Sequence, residues 1–159
     1  LTEQLDYQIS TYFRTEQPFS IVSIDIDHFK RINDQHGHDI GDVVLKGISC
    51  VMSQTLREID IYGRWGGEEF LCILPNTDTE EALVCAERLR NNVKQTQFNE
   101  TLSDLHVTAS FGVTSAHHGD SVMDMLKRAD LALYQAKTEG RDQVRCLKGA
   151  ELTQKRMHA

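Results

Sequence analysis

Residues 64–70, Arg-Trp-Gly-Gly-Glu-Glu-Phe, constrain this chain most, because a Gly-Gly pair delivers two adjacent carboxylates to the first positions of an apolar strand. The flanking runs, Asp60-Ile-Tyr-Gly-Arg-Trp65 and Glu69-Phe-Leu-Cys-Ile-Leu74, are rich in β-formers. A two-residue Gly66-Gly67 loop between them predicts a β-hairpin. Glycine there also removes the side chain that would hold a ligand off the backbone. A hairpin whose Glu68 and Glu69 are simply solvated at a strand end satisfies the same local pattern.

The remaining elements follow from periodicity. A first helix is expected over residues 2–14, and Ile21-Val-Ser-Ile-Asp-Ile26 reads as a buried strand. A short helix from His28 follows, with Asp27 as its expected N-cap. Ile40, Val43, Val44, Gly47, Ile48, Val51, Met52 and Leu56 recur at helical steps, as do Ala82, Cys85, Ala86, Leu89 and Val93. Val107, Ala109, Phe111 and Val113 alternate as a strand does. A last long helix carries Val122, Met125, Leu126, Ala129, Leu133 and Ala136, with Gly140 as its C′ residue, and a short strand is expected near Val144. Stripped of additions the order is β-α-β-β-α-β, a split βαβ core. Its right-handed crossover leaves the first two strands parallel, with the second arm of the hairpin inserted antiparallel between them. The carboxyl end of strand 19–26 then lies beside the amino end of strand 69–74, so that Asp25 and Asp27 are expected to meet Glu68 and Glu69.

At 159 residues the chain fits one domain, expected over 1–147, with 148–159 a loosely ordered tail. Its net charge of -7 argues against nonspecific binding to nucleic acid or an anionic membrane. A polyanionic ligand must therefore be met by local cations or by metal. Cys50, Cys72, Cys85 and Cys146 form no CxxC pair and are expected to be reduced, mostly buried thiols in a cytoplasmic protein. No signal peptide or membrane-spanning run is apparent in the sequence.

Carboxylates gathered within about 4 Å repel by ~4 kcal/mol per pair at an effective dielectric near 20. Protonation of one member, or a hard divalent cation such as Mg²⁺ or Mn²⁺, would relieve this. His36-Gly-His38 has no second His/Cys pair at zinc spacing. Lys30, Lys137 and Arg141 are placed to complement the acidic cluster and, together with metal, to hold a triphosphate. Taken singly, Lys137 is most often a helix-end lysine favoured by the macrodipole, and Arg141 is most often solvated. Asn33-Asp34 and Asp42 combine donors and acceptors able to read a purine edge, with turn and capping roles competing.

Asp25-Ile-Asp-His-Phe-Lys-Arg-Ile-Asn-Asp34, His36-Gly-His38, Gly41-Asp42, Gly66-Gly-Glu-Glu-Phe70, Ala129-Asp-Leu-Ala-Leu-Tyr-Gln-Ala-Lys137 and Gly140-Arg141 together resemble the GGDEF family of diguanylate cyclases, in the GGEEF form. The resemblance implies a palm-like, mostly antiparallel sheet flanked by helices, and the condensation of two GTP into cyclic di-GMP with release of pyrophosphate. It implies that Asp25, the backbone carbonyl of Ile26 and Glu68 hold Mg²⁺, with Glu69 nearby. Glu68 would be the proton acceptor and Lys30 the transition-state stabiliser. Substrate would meet Asn33, His38, Asp42, the Gly66-Gly67 loop, Lys137 and Arg141. Arg57-Glu-Ile-Asp60 resembles the family's RxxD product-inhibition motif, with Arg88 as a further contact; on spacing alone Arg57 and Asp60 read as a surface ion pair worth ~0.2–1 kcal/mol.

The resemblance further implies a homodimer for catalysis. Because the sequence starts at Leu1 and lacks the Asp-x-Leu-Thr-Gly-Leu-x-Asn-Arg segment usual ahead of the first helix, an upstream sensory or regulatory domain is expected, through which the full-length protein could attach to a membrane. Two other readings use the same residues: a catalytically silent receptor for cyclic di-GMP or GTP, and a related palm enzyme making another nucleotide. Intact carboxylates at 25, 68 and 69 disfavour the receptor.

Overall fold

The computed structural model describes residues 1–149. In chain order the elements are α1 (Thr2–Thr15), β1 (Phe19–Ile26), α2 (Phe29–His36), α3 (His38–Thr55), β2 (Ile61–Arg64), β3 (Glu69–Pro75), α4 (Thr79–Gln95), β4 (Ala109–Ser115), α5 (Val122–Thr138) and β5 (Val144–Cys146). The strands form one sheet in the order β2-β3-β1-β4-β5. β3 lies antiparallel between β2 and β1, β4 is antiparallel to β1, and β5 runs parallel to β4. This is the expected split βαβ sheet, mostly antiparallel and flanked by helices. Most of the expected tail, residues 150–159, lies outside the described residues.

The sheet is covered on both faces because its strands are apolar at alternate positions on both. Val22, Ile24, Ile26, Phe70, Cys72, Leu74, Phe111 and Val113 pack with α2, α3 and α4. On the opposite face Phe19, Ile21, Leu71 and Ile73 meet Leu5, Ile9 and Tyr12 of α1 and Met125 and Ala129 of α5. Along β1 this second face changes character, since Phe19 and Ile21 give way to Ser23 and Asp25. The carboxyl end of β1 is therefore polar where its amino end on the same face is apolar.

Several local expectations are corrected. The β2–β3 connection has four residues, 65–68, rather than two. Arg64 pairs with Phe70 in register, and the N–H groups of Trp65 and Gly66 both donate to the Glu69 carbonyl at 2.8 and 3.3 Å. Neither Gly66 nor Gly67 adopts left-handed backbone. The N-cap of α2 is His28, in a left-handed conformation at φ 55, not Asp27, and no side chain caps that helix. Cys50 is exposed, while Cys72 is buried and Cys85 and Cys146 are half-buried. The ends of α4 and α5 follow the sequence rules closely. Asp78 caps α4, Ser121 and Asp124 form a capping box on α5, and Arg141 N–H closes α5 on the Ala136 carbonyl past Gly140.

α5 approaches the sheet most closely over Gly112. A Cβ there would overlap the Ala129 carbonyl oxygen and the Leu133 backbone, neither of which can yield as a flexible side chain would. Gly112→Ala should therefore destabilise the domain by roughly 3 kcal/mol. Urea unfolding measures this as a drop in midpoint at unchanged slope; a shift of only a few tenths of a kcal/mol would mean that α5 can lift off the sheet at little cost.

Candidate active site at the strand ends

Asp25 is the last polar residue of β1, paired in register with Glu69 of β3 on one side and Ser110 of β4 on the other. It is 5% exposed. Lys137, in the last turn of α5, reaches down to bond its carboxylate at 2.6 Å. Burial pushes the Asp25 pKa up, against the hydrogen bond and charge of Lys137; the neighbouring Asp27 charge adds to the rise and Arg141 opposes it. Glu69 is also raised, first by burial and then by the Asp25 carboxylate, with Asp130 and Glu68 adding to the effect and Lys137 opposing it. The acidic end of the sheet is thus short of positive charge even with Lys137 in place.

Asp27 does not join this group in the way expected. It is 5% exposed, and its oxygens accept from Thr108 Oγ1 and Ser110 Oγ, both at 2.7 Å, and from the Asp142 N–H at 3.0 Å. The residue that looked like a helix cap instead ties β1 to β4 and to the turn after α5. Glu68 stands half-buried in the hairpin loop, its carbonyl accepting from Ile26 N–H at 3.3 Å. Gly66 and Gly67 stand beside it, and a Cβ on Gly67 would meet nothing within 4 Å. These glycines are required by neither backbone strain nor internal packing, so what they preserve is open space next to the main chain.

Lys30 lies exposed in the first turn of α2, and His38 opens α3. Asn33 is packed onto Gly41, where any Cβ would overlap its Oδ1, and that buried oxygen has no hydrogen-bond partner. An orphaned acceptor of this kind is a rarity in folded proteins and marks a place where a donor is wanted. Asp42, one residue beyond Gly41, lines a hollow of about 140 Å³ with Lys46, Ser49 and Arg64. Arg64 in turn donates to the Gly67 carbonyl at 2.6 Å. Arg141 follows Gly140 in the turn after α5 at φ 62, and Asp142 follows at φ 45. Two successive left-handed residues cost about 1–2 kcal/mol each unless their side chains are suited to it.

The sequence reading missed Asp130 and Ser23. Ser23 lies two residues before Asp25 on the same face of β1, and its hydroxyl is 3.5 Å from Asp130 on α5. Burial raises the Asp130 pKa, partly offset by Ser23 and Lys137. The signal available was helical spacing, because Asp130 and Lys137 stand two turns apart on one face of α5. Also unforeseen was the buried ion pair of Arg128 with Asp120, bonded through Nη1 and Nη2 at 2.6 Å each, with further bonds from Arg128 to Thr114 Oγ1 and the Ser115 carbonyl.

The donor set suits a hard cation: carboxylate oxygens, two of them held above their usual pKa range, at a backbone-rich strand end. Among the described residues no three His, Cys, Asp or Glu side chains converge closely enough to cage an ion unaided. Bound metal would therefore need backbone oxygen, water or ligand phosphate to complete its shell, which is the habit of Mg²⁺.

A second hollow, of about 290 Å³, lies away from the strand ends and is lined by Arg57, Asp60, Thr77, Glu81, Cys85 and Arg88, among others. The Arg57–Asp60 pair is more than a surface contact. The Asp60 side chain is 2% exposed and takes the Arg57 guanidinium at 2.8 Å, while Arg57 also donates to the Pro75 carbonyl and to Thr77. Arg88 enters no ion pair among the described residues.

An acidic strand end facing a basic helix terminus, on a split βαβ sheet, defines a palm-like domain of the nucleotide-cyclase type. Residues 1–143 match the family model "Diguanylate cyclase, GGDEF domain", and the chain belongs to that family. It is 44% identical over 147 residues to the response regulator PleD of Caulobacter vibrioides, covering 91% of this chain and 32% of that protein. A diguanylate cyclase of Vibrio cholerae is 44% identical over 130 residues, 81% of this chain and 40% of that protein. The chain thus spans about a third of the length of these curated relatives. Among solved structures, the active GGEEF domain of a diguanylate cyclase from Vibrio cholerae superposes with a TM-score of 0.86 at 39% identity, covering 91% of this chain and 92% of that one. The coiled coil and GGDEF domain of DgcB from Caulobacter crescentus, solved in complex with c-di-GMP, gives 0.86 at 27% identity over 92% of this chain and 78% of that one.

Because Glu69 is raised, the folded chain holds its proton to higher pH than the unfolded chain does. Its contribution to stability is present at low pH and lost as pH rises through the folded pKa, so ionised Glu69 costs stability at neutral pH. In chelator at pH 7, Glu69→Gln should raise the thermal midpoint by a few degrees, about 1 kcal/mol. The gain should vanish toward about pH 4, where the parent carboxyl is itself protonated. A lower midpoint for Glu69→Gln at pH 7 would contradict the charge imbalance.

Proposed function

We propose that this domain condenses two GTP molecules into cyclic di-GMP, releasing two pyrophosphates, with Mg²⁺ or Mn²⁺ as cofactor. The observation that carries the reading is the juxtaposition of Asp25 and Glu69 on neighbouring strands, both short of counter-charge, with Lys137 and Arg141 at the facing helix end. Family membership and the superposition on an active GGEEF domain support it. Asp25, the Ile26 carbonyl, Glu68 and Glu69 are the residues that would hold the metal. When bound, the metal polarises the α-phosphate and lowers the pKa of the attacking 3′-hydroxyl.

The chain's own groups divide the remaining work. Glu68, half-buried at the mouth of the site, accepts the 3′-hydroxyl proton. Lys30 stabilises charge developing on the transferred phosphoryl group, and Lys137 and Arg141 bind the polyphosphate. Lys137, paired with Asp25 in the free domain, would give up that pair to do so. The orphaned Asn33 acceptor and the Asp42 carboxylate meet donors on the guanine edge, and His38, at the start of α3, is a further substrate contact. The space beside Gly66 and Gly67 admits substrate against the main chain. One such site activates one 3′-hydroxyl, whereas the product has two equivalent bonds, so two domains meet as a homodimer, each presenting a GTP to the other. In the whole protein an upstream sensory or regulatory domain would govern that encounter, and the domain would act in the cytoplasm. No helix among the described residues is long and apolar enough to cross a membrane.

Glu68→Gln should lower pyrophosphate release from GTP at least a hundred-fold while leaving the thermal midpoint within a few degrees, because the amide neither accepts the proton nor balances a divalent charge. A rate near the parent's would remove Glu68 from the mechanism.

The hollow at Arg57, Asp60 and Arg88 is read as the site where cyclic di-GMP inhibits its own synthesis. Guanidinium forks suit its phosphates, and the Asp60 carboxylate suits a guanine edge. Since Arg57 also neutralises buried Asp60, Arg88→Ala is the cleaner probe. It should weaken cyclic di-GMP binding about ten-fold or more, with GTP turnover in the absence of product little changed. Equal product affinity in calorimetry would leave Arg57–Asp60 a structural pair, and the domain uninhibited through this hollow.

A further inference from the structure

The turn after α5 is held from an unexpected direction. Arg141 and Asp142 are consecutive non-glycine residues in left-handed backbone, at φ 62 and φ 45, a conformation that persists only where the surroundings over-determine it. The Arg141 N–H is committed to the Ala136 carbonyl at 2.9 Å, and the Asp142 N–H to Asp27 Oδ2 at 3.0 Å. The Asp142 carboxylate is bonded at 2.8 Å by Arg90 Nη1 and at 2.8 Å by Lys94 Nζ, which stand one turn apart on α4. Burial pushes the Asp142 pKa up, but the hydrogen bonds from Lys94 and Arg90 outweigh it and hold the carboxyl below its usual range. Both ends of residue 142 are therefore fixed, one to β1 and one to α4. The Arg141 side chain, by contrast, is exposed and makes no hydrogen bond to a described residue, yet its charge is felt at Asp25.

We propose that Asp142 is a positioning residue: pinned by Arg90 and Lys94, it locks the backbone from which Arg141 reaches the polyphosphate of a nucleotide at the Asp25–Glu69 strand ends. This rests on the nucleotide reading above and assigns a role to a group that touches no substrate. An isolated exposed ion pair would do little. Here two cations of one helix share a carboxylate whose own N–H is already bound, so loss of the pair frees the left-handed segment to relax toward ordinary backbone and swings Arg141 away. α4 and the sheet supply the rigidity, and Arg141 supplies the contact.

The test is a pair of thermodynamic cycles read by binding rather than turnover. GTP affinity is measured by calorimetry with Ca²⁺ replacing Mg²⁺ for the parent, Arg141→Ala, Asp142→Ala and the double variant, with GMP as the control ligand lacking the polyphosphate. Arg141→Ala and Asp142→Ala should each weaken GTP about ten-fold and leave GMP unchanged. The double variant should bind no more weakly than Arg141→Ala alone, because Asp142 acts through Arg141. Arg90→Ala, which leaves residue 142 and its backbone intact, should repeat the pattern if Asp142→Ala does not fold. Multiplicative losses in the double variant, equal weakening of GMP, or parent-like GTP affinity in Asp142→Ala would overturn the proposal. A parent that binds GTP but forms no cyclic product would refute the cyclase reading while these ratios still decide the role of Asp142. A parent that fails to bind GTP would overturn both.

Discussion

The antiparallel register of β1 with β3 is the constraint on which the rest of the domain depends. It sets Asp25 directly opposite Glu69 at the polar end of a largely apolar face, so a buried carboxylate and a half-buried one lie side by side. Burying like charges costs free energy unless cations or protons offset it. The chain answers in part with Lys137, and the raised pKa of both acids shows the answer to be incomplete. A slip of one residue in the register would turn Asp25 to the other face and leave Lys137 without its partner. The apolar alternation on both sides of the sheet holds the register and so holds the cluster.

α5 is the second half of this arrangement. Its backbone sits directly on Gly112, its Arg128 is locked into a buried pair with Asp120, and its capping box fixes where it begins. These contacts set the height and phase of the helix, and with them the positions of Asp130 and Lys137 above β1. The turn that follows is then tied to Asp27 and to α4, so the basic side of the site is positioned by elements on both faces of the sheet. The rigidity is concentrated around the site, while the β2–β3 loop that carries Glu68 is left with glycines that nothing internal requires.

Much of this was legible in the sequence. The apolar repeats of α3, α4 and α5 marked those helices, and the split βαβ order was enough to bring the ends of β1 and β3 together. Side-chain direction was harder to read. Asp27 looked like an N-cap because it precedes a helix, but a cap needs its carboxylate to turn back to the helix amides, whereas Thr108, Ser110 and the Asp142 N–H offer three donors across the strand. The Gly66-Gly67 pair looked like a tight two-residue turn, yet the strands end at Arg64 and begin again at Glu69, which leaves four residues to close the hairpin, and ordinary backbone suffices. Asp130 and Asp142 escaped notice because their partners, Ser23, Arg90 and Lys94, lie some 48 to 107 residues away in sequence. The orphaned oxygen of Asn33 depends on how closely α2 packs on Gly41, which no local pattern encodes.

The proposed reaction joins GTP to GTP at this acidic strand end, rather than hydrolysing GTP or cyclising it alone. It is tested most directly by incubating the domain with GTP and Mg²⁺, separating the products and identifying them by mass. Cyclic di-GMP is the expected end product, with two pyrophosphates released for each one formed and none formed when metal is chelated. Accumulation of GDP, GMP or 3′,5′-cyclic GMP in its place, or a protein that binds GTP and leaves it unchanged at every protein concentration, would contradict it.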